Sequence, residues 1–456
     1  MREDVIRSHT IGACDTSSHL ISRASLGDTI LTVLDVFLPT LAKGVIIRRP
    51  AVMSLAERLD IDGRAVRRMQ RLRAKYGSEP LRLRILGRSV ALLFAPEDVH
   101  RVLAGTPEPF ATETREKTAA LAHFEPKSSL ISRGPERADR RRFNEELLET
   151  HRPIHHLAES FAEIVASEVD LLDGIRERAE LRWNEFAAAW FRIVRQIIFG
   201  KGARDDHELS EIMSRLRHAA NWAFLVPQRP QLRKRLHRRI EEYLRRAEPA
   251  SLAGAASHLR TTSITAPEQQ VPQWLFAFDA AGMATFRTLA LLASHPQEMY
   301  RAQREVTESR SGHLFPYLRS AVLDVIRLWP TSPLILRETS ADTRWKSGIM
   351  PAGTVVVIFA PFFHRDDETL PYAHRFATEL WNNRDSPQRG ALIPFSDGSA
   401  ACPGRELVLL VSTAVLAEML RKSEVKLRRP ARLLDEAKPL PLTLNHFGLR
   451  FDLNPA

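Results

Sequence analysis

A mainly α fold with a small β lobe is what this sequence predicts, on three observations. Helix-patterned residues fill most of the stretch from about 137 to 260, broken at Pro153, Gly200 to Asp206, Pro227 to Pro230 and Pro249. The segment 272–294 is apolar on most sides, so it must run through the middle of the protein. Short strand-like runs are confined to about 78–110 and 333–385, which form the β-rich lobe. No internal repeat or low-complexity linker divides the 456 residues, so they read as one domain, 1–456.

The elements follow in order. Residues 51–77 predict a helix, with Leu55, Leu59 and Ile61 apolar among many charges. Leu81 to Leu86 alternates as a half-buried strand, and Val90 to Phe94 follows Gly87-Arg88-Ser89 as the second arm of a hairpin. A helix spans about 317–329 and stops at Pro330. Strands return at Pro333–Glu338 and Thr354–Phe359, joined through the turn Pro351-Ala352-Gly353. A last long helix covers 404–422.

Composition narrows the function classes. With 44% hydrophobic and 27% charged residues, the chain is neither disordered nor collagen-like. Two cysteines, Cys14 and Cys402, cannot build a disulfide framework, which suits a reducing cytoplasm. The formal charge of +11 admits an acidic partner. Nucleic acid is not expected, because the cations are interleaved with acids and no nucleic-acid motif accompanies them. The start, Met1-Arg2-Glu3-Asp4, is not a secretory n-region. The apolar stretch Thr29 to Ile47 is broken by Asp35, Pro39 and Lys43, short of the roughly 18 uncharged residues of a spanning helix. A soluble, monomeric, cytoplasmic protein without a membrane span is expected.

The chemistry concentrates at Phe395-Ser396-Asp397-Gly398-Ser399-Ala400-Ala401-Cys402-Pro403-Gly404. A cysteine in a tight loop at a helix N-terminus has its thiolate favoured by the dipole and by free N–H groups. Gly398 and Gly404 permit close backbone approach, and Phe395 can shield the sulfur. The alternative is a buried structural cysteine at a helix cap. The spacing resembles the Phe-x-x-Gly-x-x-x-Cys-x-Gly haem-thiolate loop of the cytochrome P-450 superfamily, in its soluble bacterial form. Two further stretches stand in that family's order. Asp324-Val325-Ile326-Arg327-Leu328-Trp329-Pro330 and His374-Arg375-Phe376 match its Glu-x-x-Arg helix and Arg-Phe segment, with Asp in place of Glu. Ala281-Gly282-Met283-Ala284-Thr285 resembles its distal helix, but Ala284 replaces the usual acid before the threonine.

The resemblance implies a P-450 fold and haem b (iron protoporphyrin IX) ligated by Cys402, whose electron donation favours O–O cleavage. It implies a monooxygenase acting on a small, largely apolar or aromatic molecule, plausibly in secondary metabolism. Ala281 and Gly282 would leave room for oxygen, and Thr285 would hydrogen-bond it or a water; Asp279 is the nearest acid. Arg137, Arg141 and Arg337 would hold the propionates, whose usual third donor position is Ala400. Asp324 and Arg327 would pair with Arg375 or its backbone. Pocket candidates are Phe110, His123, Phe124, Trp274, Phe278, Thr331, Ser332, Leu334, Ile335, Asn445, His446 and Phe447. Electrons would come from a separate ferredoxin or flavodoxin with its reductase, steered by cations at Arg405, Arg421 and Lys422. A peroxide-using or non-oxygen-activating haem-thiolate enzyme, or a non-catalytic haem protein, is the alternative.

Overall fold

The computed structural model describes residues 19–172, 180–309, 314–382 and 390–455; Cys14 and positions 383–385 of the predicted lobe lie outside them. Helices dominate, and they break where proline, glycine or a left-handed residue requires it. The predicted helix over 51–77 is two helices, Pro50–Arg58 and Ile61–Tyr76, split at Asp60 with φ 46°. A Cβ on Gly63 would lie 2.1 Å from an Asp60 carboxylate oxygen, so the second helix starts close under that kink. Between 134 and 246 run Gly134–Leu147, Ala158–Asp170, Trp183–Phe199, His207–Ala220 and Pro230–Arg246.

The central helix Val271–Ser294 is buried along most of its length, as a helix apolar all round must be. It packs on the helices Trp183–Phe199, Pro316–Leu328 and Arg405–Lys422. Among the described residues it belongs to the only stretch long and apolar enough to cross a membrane, Pro267–Ser294, and 78% of an apolar 18-residue window within it is buried.

The five-stranded sheet has the order Leu81–Leu83, Val90–Leu92, Val355–Phe359, Leu334–Thr339, Phe110–Ala111. Val90–Leu92 pairs in parallel with Val355–Phe359, and the other contacts are antiparallel. Its buried side carries a separate apolar cluster around Leu92, Phe94, Val356 and Ile358. A three-stranded sheet outside the predicted lobe joins Leu181–Arg182, Arg450–Pro455 and Ser423–Arg429.

The early apolar stretch folds as one nearly continuous helix with a π-helical turn: Leu26–Thr32, Val33–Phe37, Leu38–Lys43. Its facing is inverted. Thr29, Thr32, Val36, Thr40 and Lys43 point inward, while Leu26, Ile30, Leu31, Leu34, Leu38 and Leu41 are exposed. Each inward threonine returns its hydroxyl to a carbonyl one turn earlier, and Lys43 meets Asp62, so the polar face is satisfied inside.

Candidate active site

Cys402 lies half-buried in the loop ahead of the helix Arg405–Lys422, and its N–H donates to the Phe395 carbonyl at 2.9 Å. This bond closes the loop back on Phe395, which packs against the main core. The sulfur is a free thiol. Burial pushes it above the ordinary cysteine range, and the Gly404 N–H, Arg141 and Arg405 oppose that shift. The helix terminus therefore does not outweigh desolvation in the bare protein. The two glycines differ. Gly398 has φ +66°, and a Cβ there would lie 2.2 Å from the Leu103 carbonyl oxygen. At Gly404 a Cβ would meet only Leu148, at an ordinary 3.7 Å.

Around the loop stand three cations that no carboxylate pairs among the described residues. Arg337 is 3% exposed and donates to Thr106 Oγ1 at 3.0 Å, to the Leu336 carbonyl at 3.0 Å and to Ser396 Oγ at 3.5 Å. Burial, then Arg137, pushes it down to about 10. Arg137 reaches the Ser399 carbonyl at 3.2 Å and is lowered by burial and by Arg141. Arg141 is ion-paired with Glu145 at 2.6 Å, so one of the three expected anion holders is already neutralised. The third unpaired cation is one that sequence reasoning missed. Lys117 Nζ donates to the carbonyls of Thr112 at 2.8 Å and Leu336 at 2.9 Å, and burial and Arg337 push it well down. No motif marks that lysine; only folding brings it beside Arg337. Like charges gather under desolvation only where something anionic compensates them. The two propionates of a haem would do so.

On the central helix, Thr285 is fully buried and its hydroxyl donates to the Ala281 carbonyl at 2.9 Å. Gly282 owes its size to a protein neighbour. A Cβ there would lie 2.8 Å from Trp190 Nε1, the indole that donates to the Phe278 carbonyl at 2.8 Å. The expectation that Gly282 makes room for oxygen is corrected to room for Trp190. Asp279 is ion-paired with Arg217, which removes the nearest acid from the threonine. Glu125 is buried, pushed well up by desolvation, and meets Gln273 at 3.1 Å. Gln273 precedes Thr285 by twelve residues, about 18 Å of helix.

The pocket candidates divide. Trp274 and Phe278 do not face the distal side: Trp274 donates to Asn144 at 2.6 Å and stacks on Phe143, and Phe278 packs beside Trp190. The half-buried edge of the helix runs through Gln273, Phe276, Ala277 and Ala280, and stepping back four residues from Ala281 would have found Ala277. Phe110 is also corrected, because it sits edge-on to Trp345 at 6.1 Å in the sheet cluster. Phe124 meets Phe276 edge-on at 6.2 Å, and His123 is 1% exposed with neither ring nitrogen hydrogen-bonded among the described residues. Ser332 is exposed, while Thr331, Leu334 and Ile335 are half-buried. His446 is packed between Trp183 and half-buried Phe447, and Asn445 caps the Phe447 N–H at 3.2 Å.

Asp324 and Arg327 are wholly buried and form a two-pronged pair, at 2.6 and 2.9 Å, within one helical turn. Arg327 then donates to the Arg375 carbonyl at 2.7 Å, whereas the Arg375 side chain is exposed. Asp324 also accepts from the Ala377 N–H at 2.8 Å and from Trp381 Nε1 at 3.1 Å. The pairing partner is thus the backbone of 375, not its guanidinium, and Trp381 completes the set.

The cations near the loop need one more correction. Arg421 and Lys422 close the helix that Arg405 opens, about 24 Å away at 1.5 Å per residue. They are paired with Glu418 and Asp170. Among the chain that touches the loop is Thr150, whose hydroxyl donates to the Pro403 carbonyl at 2.9 Å.

Comparison with known proteins agrees with this geometry. The solved structure of a retinoic acid-bound cyanobacterial CYP120A1 superposes with a TM-score of 0.66 at 17% identity, covering 85% of this chain and 94% of that one, which is a likeness of fold. Cyclooctat-9-en-7-ol 5-monooxygenase of Streptomyces melanosporofaciens is 32% identical over 152 residues, 30% of this chain and 33% of that protein. Cytochrome P450 4c3 of Drosophila melanogaster is 28% identical over 204 residues, 41% of this chain and 37% of that protein. These matched stretches span about a third of each relative's length. The Cytochrome P450 family model matches residues 47–251 and 269–445, and with the thiol loop, the buried Asp–Arg pair and the central helix in their places, this chain belongs to the cytochrome P450 family.

Proposed function

We propose that this protein is a haem-thiolate monooxygenase that oxidises a small, largely apolar or aromatic molecule, with haem b as its cofactor. The observation that carries the reading is the half-buried thiol of Cys402 in a loop met by Arg337 and Arg137, with Lys117 beside Arg337, cations that no carboxylate neutralises among the described residues. Cys402 would ligate the iron, and those three side chains would hold the propionates. When bound, the group supplies reductive activation of dioxygen, favoured by thiolate donation.

The chain's own residues do the rest. Thr285 holds its proton on the Ala281 carbonyl and is placed to release that bond toward a ligand. Ala277, Ala280 and Phe276 give the substrate an apolar wall, and Leu334, Ile335 and Phe447 supply further half-buried apolar surface. Since Asp279 is tied to Arg217 and position 284 is alanine, ordered water at Thr285 or a group on the substrate carries the proton. Ala284 also favours a second reading, a peroxide-using enzyme of the same family.

Electrons come from a separate acidic ferredoxin or flavodoxin, and the protein works as a cytoplasmic monomer in secondary metabolism. The test is the absorption of the reduced carbon-monoxide complex, expected at the thiolate-haem position and lost in Cys402→Ser. A spectrum of histidine-ligated haem in the unaltered protein overturns the reading. Product that forms with dioxygen and reductant but not with peroxide alone separates the two enzyme readings.

A further inference from the structure

A second concentration of charge lies away from the thiol loop. A cleft opens between the end of the early helix, the central helix and the chain around 328–333 and 442–444. Lys43, Arg48, Arg287 and Arg365 line it together with one carboxylate, Asp62. That carboxylate is occupied, by Lys43 and by the Thr443 hydroxyl at 2.7 Å. Acids farther out are engaged as well: Glu57 with Arg432, Asp60 with Arg67, Asp279 with Arg217 and Asp324 with Arg327.

The three arginines spend some donors on carbonyls. Arg48 reaches Gly44 and Thr331, each at 2.7 Å, and Arg287 reaches Leu444 at 2.7 Å and Trp329 at 3.4 Å. Arg365 reaches the carbonyls of Leu328 at 2.8 Å, Leu440 at 2.7 Å and Pro441 at 3.3 Å and the His374 Nδ1 at 3.0 Å, which leaves its Nε as the spare donor. Arg287 is 5% exposed and Arg365 1%, and the Nε of each has no hydrogen-bond partner among the described residues. Burial lowers Arg287 and Arg365 to about 9 and lowers Arg48, so desolvation presses on all three. An arginine does not escape that pressure by losing its proton near neutral pH. Carbonyl dipoles offset part of the cost, but uncompensated buried cations call for an anion.

We propose that this cleft is a binding site for a small oxyanion, either inorganic phosphate or the carboxylate of a small molecule, held by Arg287, Arg48 and Arg365. Planar guanidinium forks suit both groups. The site is independent of the haem chemistry proposed above. Arg287 follows Thr285 by only two residues, yet its side chain is turned to the carbonyls of Trp329 and Leu444. Those segments lead into Leu334 and Ile335 on one side and His446 and Phe447 on the other. An anion here would brace both at once.

The experiment is thermal melting of the haem-loaded protein against inorganic phosphate, with sodium chloride holding ionic strength constant. A saturable rise in Tm is expected, and it should be lost or shifted at least tenfold to higher phosphate in Arg287→Met and in Arg48→Met. Two variants are used because one may fold poorly; an exposed arginine, Arg229→Met, should keep the full response. Acetate in place of phosphate separates the sources. Saturation by phosphate alone assigns free phosphate, and saturation by acetate as well assigns carboxylate-bearing molecules. No rise, a rise that grows linearly without saturating, or a saturable rise that survives both arginine variants overturns the proposal.

Discussion

At the residue scale, Gly398 has the sharpest steric requirement of the thiol loop. Its φ of +66° acts together with the Leu103 carbonyl oxygen, which stands 2.2 Å from where a Cβ would project. Gly398→Ala should cost at least ~1–2 kcal/mol from the left-handed backbone alone, read as a fall in the denaturant midpoint. Gly404→Ala, with only Leu148 nearby at 3.7 Å, should be close to neutral in the haem-free chain. Arg337 gives a change of sign. In the haem-free chain, Arg337→Met removes a desolvated cation beside Arg137 and Lys117, so stability should hold or rise. If Arg337 holds a propionate as proposed, the same change in the loaded protein should make haem pass faster to a competing apoprotein. Equal effects in both forms would refute the propionate role. Thr285→Ala tests proton handling: product formed per reductant consumed should fall while peroxide leakage rises. Unchanged coupling would place the proton source on the substrate, and Ala284→Asp would then be neutral or harmful, because a new buried charge costs desolvation. Cys402 and Thr285 were legible because a motif spaces them along the chain. Lys117 was not, since the cation it sits beside, Arg337, is 220 positions away and nothing local distinguishes it from a surface lysine.

At the scale of elements, the buried Asp324–Arg327 pair was legible from its spacing, and of the two partners expected, Arg375 or its backbone, the structure selects the backbone. The spacing i, i+3 fixes the pair on one face, but which atoms of 375–381 it meets depends on how the following chain turns. Asp324→Ala should cost about 3–5 kcal/mol, because it leaves Arg327 charged and wholly buried. Asp324→Glu restores the charge, yet it must fit an extra methylene against Ala377 and Trp381, at about 1–3 kcal/mol. A chemical melt of both variants checks the order; Glu equal to Ala would contradict the charge argument. The central helix was legible as an element because it is apolar all round, and for the same reason its facing was not. With no polar side to orient it, Trp274 and Phe278 could be assigned to the distal side only from helical spacing, and it took Asn144 and Trp190 to fix them. The early helix is the opposite case. Leu34→Gln and Leu38→Gln on its outward face should leave the melting temperature nearly unchanged, while Val36→Ala should lower it.

At the scale of the whole molecule, the excess of 66 basic over 55 acidic residues favours an acidic electron donor, but the sum alone does not say where it docks. Counting along the sequence pointed to Arg421 and Lys422; the helix carries them to its far end and pairs them there. The strand alternation of Ser423–Arg429 was likewise present in the sequence, and its partners at 181 and 450 were too distant to be inferred. The face that touches the thiol loop carries Arg152 on the segment held by Thr150, with Arg137 and Arg405 close to the loop itself. If docking there is electrostatic, reduction by an acidic ferredoxin should slow steeply as salt shortens the screening length from about 30 Å at 0.01 M to about 8 Å at 0.15 M. Arg152 is exposed and ion-paired with Glu149 at 3.2 Å, and Arg152→Glu should leave the carbon-monoxide spectrum intact and slow reduction several-fold at low salt, with the difference closing at high salt. Arg421→Glu, about 24 Å along the helix from Arg405, should do little at any salt concentration. Stopped-flow reduction of the three proteins decides the matter. Equal rates for Arg152→Glu and the unaltered chain at low salt would move the docking face elsewhere, and a slow Arg421→Glu would move it to the far end of the helix.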